Sequence, residues 1–332
     1  MIKKYLFDIF QDRKVYLYEL SNEKLKVGFL DFGGAIQYIK VPSKLGEKNV
    51  CLGFDNVDEY IKSQTYCGAI IGRVANRIDG ARFVLNEKEV KVSANENGNC
   101  LHGGTEGFDK RFFDVEEIEG GMRLKLNSPD GDMGFEGNMQ LCVEYTLKGS
   151  SFTITFTAVS DKDTLWNPTI HTYFKLDDGK IYNKYLTIYA DKYTPIRAGL
   201  IPTGKLEEVE NTPFDFRTPK QIGADIGADN EQLKLAGGFD HNFATRTEHS
   251  ATAYCEQNGI QLDVYSDMCG VQFYSGNFIK GIGKFGRLNP RDAFCLEPQY
   301  FPNACNIESF KTPLLRANKK KKHYIRYDFS IK

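Results

Sequence analysis

Tryptophan is nearly absent, at one residue in 332, and none of the eight cysteines forms a CxxC pair. The cysteines are scattered as Cys51, Cys67, Cys100, Cys142, Cys255, Cys269, Cys295 and Cys305. A chain of this length needs no disulfide staples, so reduced thiols in a reducing compartment are expected. Long apolar runs are missing too. The first one breaks at Asp8, too soon for a signal peptide, and no stretch approaches the length of a membrane span. Cytoplasm is the expected location, with no membrane partner. Charge of either sign is not in excess: 43 Lys+Arg face 44 Asp+Glu, a formal net charge of -1. That removes the electrostatic reason to expect a nucleic-acid partner. The one basic run, Lys319 to Lys322, leads directly into an alternating segment and reads as a solvated turn.

Several chemical signatures are also lacking. There is no HExxH, the five histidines lie far apart, and no Gly-x-Ser-x-Gly elbow marks a serine nucleophile. His102, His171 and His241 could meet only through the fold. Gly281-Ile-Gly283-Lys-Phe-Gly286 matches GxGxxG, but Pro290 follows where a nucleotide-binding helix has to develop. Asp130-Gly-Asp132-Met-Gly134 begins like a calcium loop and then places glycine where an oxygen ligand belongs. No metal and no cofactor are expected.

What the sequence does have is alternation. Ser151 to Val159 puts Phe152, Ile154, Phe156 and Ala158 on one face and threonines on the other. Met122 to Leu126 and Gln140 to Leu147 repeat the pattern beside it. Further strands are expected at 25–30, 81–85, 186–190, 261–265 and 271–274, and at Tyr324 to Ile331 with Ile325, Tyr327, Phe329 and Ile331 inward. Short helices are expected near Val57 to Lys62 and Gln221 to Ala228. Many short strands between Gly- and Asn-rich turns, without regular strand–helix alternation, indicate an all-β fold, a large antiparallel β-sandwich. No repeat or linker divides it, so residues 1–332 are expected to form one domain.

Five polar islands interrupt the core strands: Gly72-Arg-Val-Ala-Asn76-Arg77, Leu101-His102-Gly-Gly104, Asn167-Pro-Thr-Ile-His171-Thr-Tyr173-Phe174, Phe239-Asp240-His241-Asn242 and Glu297-Pro-Gln-Tyr-Phe-Pro302. Loops on a rigid sheet are where sites sit. Taken singly, any one of these histidines is more readily a neutral residue hydrogen-bonded beside a turn than a catalytic one. Together they allow a His acid and a Glu base whose environments separate their pKa values. An Arg and an Asp can then bind a polyhydroxylated ligand. That set suits proton transfer on a sugar.

In order and over essentially the whole chain, these islands resemble those of the aldose 1-epimerases, the galactose mutarotase family. Ser128 to Gly137 also resembles that family's loop near the site. The resemblance implies a galactose mutarotase-like supersandwich with its site in a groove on one sheet. It implies Glu297 as base and His171 as acid. It places His102 and Arg77 on the ring-oxygen side with Asn76 beside them, Asp240 on sugar hydroxyls, Gln272 near the site and Tyr173 in the His171 motif. The implied reaction is metal-free interconversion of the α and β anomers of free hexoses such as glucose and galactose. A monomer or weak homodimer is expected. Two positions depart from the family pattern, Ile170 and Lys175 standing where asparagine is usual.

Three rivals remain at this level. An epimerase of the same fold could take maltose or hexose 6-phosphates, the latter needing a cationic cluster that only the Arg73–Arg77 segment offers. A glycoside hydrolase could use Asp240 and Glu297 as its carboxylate pair, leaving His171 without a role. A non-catalytic sugar-binding protein would have no use for a matched acid and base.

Overall fold

The alternation becomes sheet. Phe152, Ile154, Phe156 and Ala158 are fully buried on Ser151–Ser160, which pairs without a slip against Met139–Lys148, from Met139↔Ser160 to Lys148↔Ser151. A one-residue slip would turn this whole apolar face to solvent, so the pattern fixes the register. The computed structural model describes residues 1–283 and 286–332. Lys284 and Phe285 of the GxGxxG match lie outside the described residues. The flanking segments Gly281–Gly283 and Gly286–Leu288 pair as antiparallel strands.

Two antiparallel sheets form the body. The larger has nine strands in the order Asp114–Ile118, Gly121–Ser128, Met139–Lys148, Ser151–Ser160, Lys321–Ile331, Ile260–Ser266, His249–Tyr254, Tyr185–Ile188 and Lys220–Gln221. The smaller has six, ordered Tyr173–Phe174, Phe294–Gln299, Gly270–Tyr274, Asp240–Thr245, Ala190–Thr194 and Glu207–Glu208. One buried cluster joins Leu124, Val143, Ile154 and Tyr327 of the larger sheet to Phe243, Phe273, Phe294 and Leu296 of the smaller. Each such side chain contributes roughly 1.5–3 kcal/mol on burial. A five-stranded N-terminal sheet over residues 2–49 adds Phe29 and Ile39 to the same core. This is the expected all-β sandwich.

Period-two alternation in the smaller sheet positions the site. Phe243, Val271, Phe273 and Leu296 point into the core, so Asp240, Gln272 and Glu297 point away from it. Loops cover that second face as well, and all six residues of Phe294–Gln299 are buried.

Some local expectations shift. The helix at Val57–Ser63 is present, capped by the Asn56 side chain, which accepts from the Glu59 amide. In the stretch Gln221 to Ala228, Gln221 ends a short strand and 222–228 are turn and bend rather than helix; the helix lies further on at Glu231–Ala236. Asn230 caps that helix and Gly237, at φ 64°, ends it, whereas Gly223 and Gly227 punctuate the earlier stretch. Ile331 is 46% exposed, at the end of its strand and beyond the core. Of the basic run, Lys319 and Lys320 are exposed just after a turn at 317–318, but Lys321 and Lys322 already belong to the last strand, with Lys321 partly buried and donating to the Leu314 carbonyl, so the expected solvated turn covers only part of the run. The carboxylates of the calcium-like loop are occupied structurally: Asp132 accepts from Arg111 and Ser128, and Asp130 from the Gly137 amide and Lys162.

Candidate active site

Three neighbouring strands supply the floor. Gln272 lies directly opposite Glu297 across one strand pair, and Gln272 Nε2 donates to Asp240 Oδ1 at 2.7 Å. His171 arrives from the side, just beyond the short strand Thr169–Ile170. Two residues of its motif staple it to the Glu297 strand: Thr169 Oγ1 donates to the Pro298 carbonyl at 2.7 Å, and Asn167 Oδ1 accepts from the Tyr300 amide at 2.9 Å. His171 Nε2 thereby stands 3.6 Å from Glu297 Oε2. Its other nitrogen, Nδ1, lies 3.6 Å from the buried Cys295 thiol.

The loop residues are held as tightly. Asn76 and His102 both occupy the left-handed region, at φ 62° and 52°, a strain typical of functional sites. The two residues bond reciprocally: the His102 amide donates to the Asn76 carbonyl at 3.1 Å, and the Asn76 amide donates to the His102 side chain at Nδ1, at 3.2 Å. That amide fixes the tautomer. A neutral His102 accepting at Nδ1 carries its proton on Nε2, facing the pocket as a donor. Gly103 is obligatory behind it, since a Cβ there would stand 1.9 Å from the Gly72 carbonyl oxygen.

His102, His171 and Glu297 line a pocket of about 560 Å³, together with Asn76, Arg77, Tyr173, Asp240 and Gln272. All eight sequence-derived site residues are therefore brought together. The sequence missed Tyr66, Glu96 and Tyr274, which also line it. The Tyr66 ring packs 4.7 Å from His102 and 6.1 Å from His171, while Tyr173 stacks on His171 at 5.0 Å. Tyr66 lies in a stretch without a distinctive motif, and Glu96 sits in what reads as an ordinary Asn-rich turn. Nothing local marked either.

Other residues move out of contention. His241 points opposite to Asp240, against Phe214 and Tyr193, and burial pulls it down to about 3. It is a core histidine. Arg73 is 2% exposed and faces away from the pocket, clamping the Ser128–Gly137 loop, which therefore lies behind the site rather than along it. Ile170 is fully buried in the core, and Lys175 donates to the carbonyls of Asp178, Gly179 and Asp292. Neither departure from the family pattern lines the pocket.

Electrostatics separate the two central groups. Burial, reinforced by the Asp240 carboxylate and opposed by Arg77, holds Glu297 well above the usual carboxylate range. Burial pulls His171 down to about 4. His102 falls well below its ordinary value through burial and the neighbouring His171 and Arg77. Burial raises Asp240, against the pull of Arg77 and the Gln272 hydrogen bond. Among the described residues, His102, His171 and Glu297 are the one trio spaced for a metal ion, with ligand atoms within 4.8 Å of one another. Coordination by His102 Nε2 would need the proton moved to Nδ1, breaking the bond from Asn76. The trio is better fitted to hydrogen-bond a polyol.

The Aldose 1-epimerase family model matches residues 16–328. Galactose mutarotase of Rattus norvegicus is 36% identical over 326 residues, 95% of this chain and 94% of that protein. Aldose 1-epimerase of Escherichia coli (strain K12) is 34% identical over 305 residues, 88% of each. Among solved structures, an aldose epimerase homologue from C. elegans superposes with a TM-score of 0.89 at 27% identity, covering 95% of this chain and 98% of its own. Galactose 1-epimerase from Lactobacillus acidophilus gives 0.89 at 25% identity, over 100% and 99%. A match this complete, in sequence and in fold, leads to one conclusion: the chain belongs to the aldose 1-epimerase (galactose mutarotase) family.

Proposed function

We propose that the protein interconverts the α and β anomers of free hexoses such as glucose and galactose by opening and reclosing the pyranose ring. The observation that carries this reading is the 3.6 Å approach of His171 Nε2 to Glu297 Oε2 on the pocket floor. Glu297 takes the proton of the C1 hydroxyl while His171, as imidazolium, gives one to the ring oxygen. The ring opens to the aldehyde, rotation about C1–C2 presents the other carbonyl face, and the reversed transfers close the opposite anomer. The His102 Nε2–H and Arg77 stabilise charge developing on the ring oxygen, with Asn76 beside them. Asp240 and Gln272 hold hydroxyls, and Tyr173 keeps the His171 ring in plane by stacking.

Both transfers stay within one pair carrying one proton. The neutral form, protonated Glu297 with neutral His171, is the one burial favours, and it is the form that closes the ring. The form with the proton shifted to His171 opens it. No cofactor is needed for either step. The reading takes residues 1–332 as one domain, cytoplasmic, monomeric or a weak homodimer, with a small sugar as its partner and neither nucleic acid nor membrane. Eight free cysteines support a reducing compartment, and among the described residues no helix is long and apolar enough to cross a membrane.

The first test is polarimetry of freshly dissolved α-D-glucose and α-D-galactose with catalytic protein and EDTA. Equilibration far faster than the spontaneous rate, unaffected by the chelator, supports the proposal. Drift at the spontaneous rate ends the free-hexose reading.

A pH profile follows from the pair, whose two ionisations are macroscopic properties of both groups. The value of kcat/KM should hold from neutrality downward and fall only as pH drops through about 4, where the pair gains a second proton. On the alkaline side it falls when the last proton leaves, above the ordinary carboxylate range. An acid limb instead centred near about 6.5, the value of a free histidine, would contradict the buried pair.

A further inference from the structure

Arg77 is the only arginine among the described residues lining the pocket, and its guanidinium fork is already occupied. Its Nε donates to Glu96 Oε2 and its Nη2 to Glu96 Oε1, both at 2.6 Å. This is the parallel two-bond geometry by which arginine otherwise grips a carboxylate or phosphate of a ligand. Glu96 is placed with care. It opens the turn to Asn99, whose amide donates to the Glu96 carbonyl at 2.8 Å. The preceding Asn95 side chain is clipped to both backbone groups of Leu101, accepting at 2.7 Å and donating at 3.0 Å, immediately before His102. The Arg77 side chain is 9% exposed and that of Glu96 is 27% exposed, so the carboxylate is the partner on the solvent side.

The charges around that fork are unequal. Glu96, Asp240 and Glu297 line the pocket, whereas Arg77 and Lys280 are its lining cations. A ligand carrying its own anion would have to displace Glu96 from the fork and sit among carboxylates. A hydroxylated, uncharged ligand needs only the remaining Nη1 donors. We infer that Glu96 is the specificity-determining residue of this site: by occupying the fork of Arg77 it admits uncharged aldoses and turns away those bearing a phosphate or a carboxylate. It is at the same time a positioning residue, acting on the chemistry through Arg77. This inference rests on the mutarotase reading and adds to it the residue that enforces the charge of the substrate.

Glu96 has a second consequence through the groups facing Arg77. These are Glu96 itself, Asp240 and Tyr66, with His102 and Glu297 also within its field. Arg77 favours the ionised form of Glu297. Removing the Glu96 charge leaves that pull less compensated, so the last proton of the Glu297–His171 pair leaves at lower pH.

Anomer exchange, followed by NMR saturation transfer, tests this with D-galactose and its anionic counterpart D-galacturonate, on the wild type, Glu96→Gln and Glu96→Asp. The wild type should prefer galactose in kcat/KM by about 100-fold or more, and Glu96→Gln should shrink that ratio at least about tenfold, chiefly through KM for the anion. Its alkaline limb should move toward acid. Glu96→Asp, which keeps the charge, should keep most of the preference. An unchanged ratio in a Glu96→Gln protein still active on galactose overturns the inference, and so does a wild type that takes both sugars alike. If the Gln variant does not fold, competition in the wild type decides. Inhibition by galacturonate should tighten as salt screens the carboxylates, and loosening with salt means Arg77 attracts the anion after all. A wild type inactive on galactose and glucose refutes the mutarotase reading instead.

Discussion

Glu297→Gln should lower kcat for anomer interconversion by about 10³-fold while KM changes by no more than roughly threefold. Glutamine keeps the shape of the side chain and its place opposite Gln272, so sugar binding is retained. What it loses is the ability to take and return the C1 proton, the step that the spontaneous reaction leaves to water. The stability of the variant separates this from damage. Glu297 is 2% exposed, and its Oε2 accepts no hydrogen bond among the described residues. Burial favours the protonated, uncharged form of Glu297, so a neutral amide there exchanges one uncharged group for another of the same shape. The melting temperature should therefore stay level or rise as kcat collapses. Polarimetry and calorimetry on the same preparation check both halves. A Gln variant within a few-fold of wild-type kcat removes Glu297 from the base role. A large fall in melting temperature makes its effect structural.

The sequence carried the fold and most of the site because both rest on short-range signals. Phe152, Ile154, Phe156 and Ala158 are legible as one face since strand geometry has a strict period of two, and their burial follows it. Asn76, His102, His171, Asp240 and Glu297 are legible because each stands in a dense polar cluster beside glycine or proline, or between apolar runs. What stayed hidden depends on contacts far apart in the chain. Glu96 acquires its meaning only because its turn folds back over Arg77, nineteen residues away. Tyr66 matters because the covering loop sets its ring against two histidines, and no periodicity announces that. The helix assigned to Gln221–Ala228 shows the converse. Polar and small residues permit a helix there, but the capping asparagine and terminating glycine that define one occur around Glu231–Ala236. His241 and Asp240 are adjacent in one island, and only the direction of the strand distinguishes the core residue from the site residue.

The second large effect concerns stability and falls on Arg73. Its guanidinium donates to four backbone carbonyls, those of Ser128, Pro129, Glu136 and Gly137, and to the hydroxyls of Ser128 and Thr164. Burial pulls this arginine down to about 10. The group lies at the centre of that loop, and its own backbone carbonyl accepts from the Asn167 amide at 2.9 Å, at the start of the His171 motif. Arg73→Met fills a similar length of space and removes every donor, leaving several buried acceptors unpaired. Each costs about 1–3 kcal/mol when uncompensated, but the loop can relax toward water, so a net loss of about 3–5 kcal/mol is expected. Arg73→Lys should recover only a minor part, because one ammonium with three donors cannot span acceptors on both sides of the loop. Urea denaturation gives the free energies, and the midpoint should fall in the order wild type, Lys, Met. Below the transition, KM should rise more than kcat falls, since Asn76 and Arg77 lie on the same short segment as Arg73, beyond Val74 and Ala75, whereas Glu297 is held by its own strand pairs. A Met variant as stable as the wild type would mean that the loop closes without its clamp. A loss of kcat as deep as that of Glu297→Gln would mean that Arg73 reaches the chemistry, which its burial behind the site rules against.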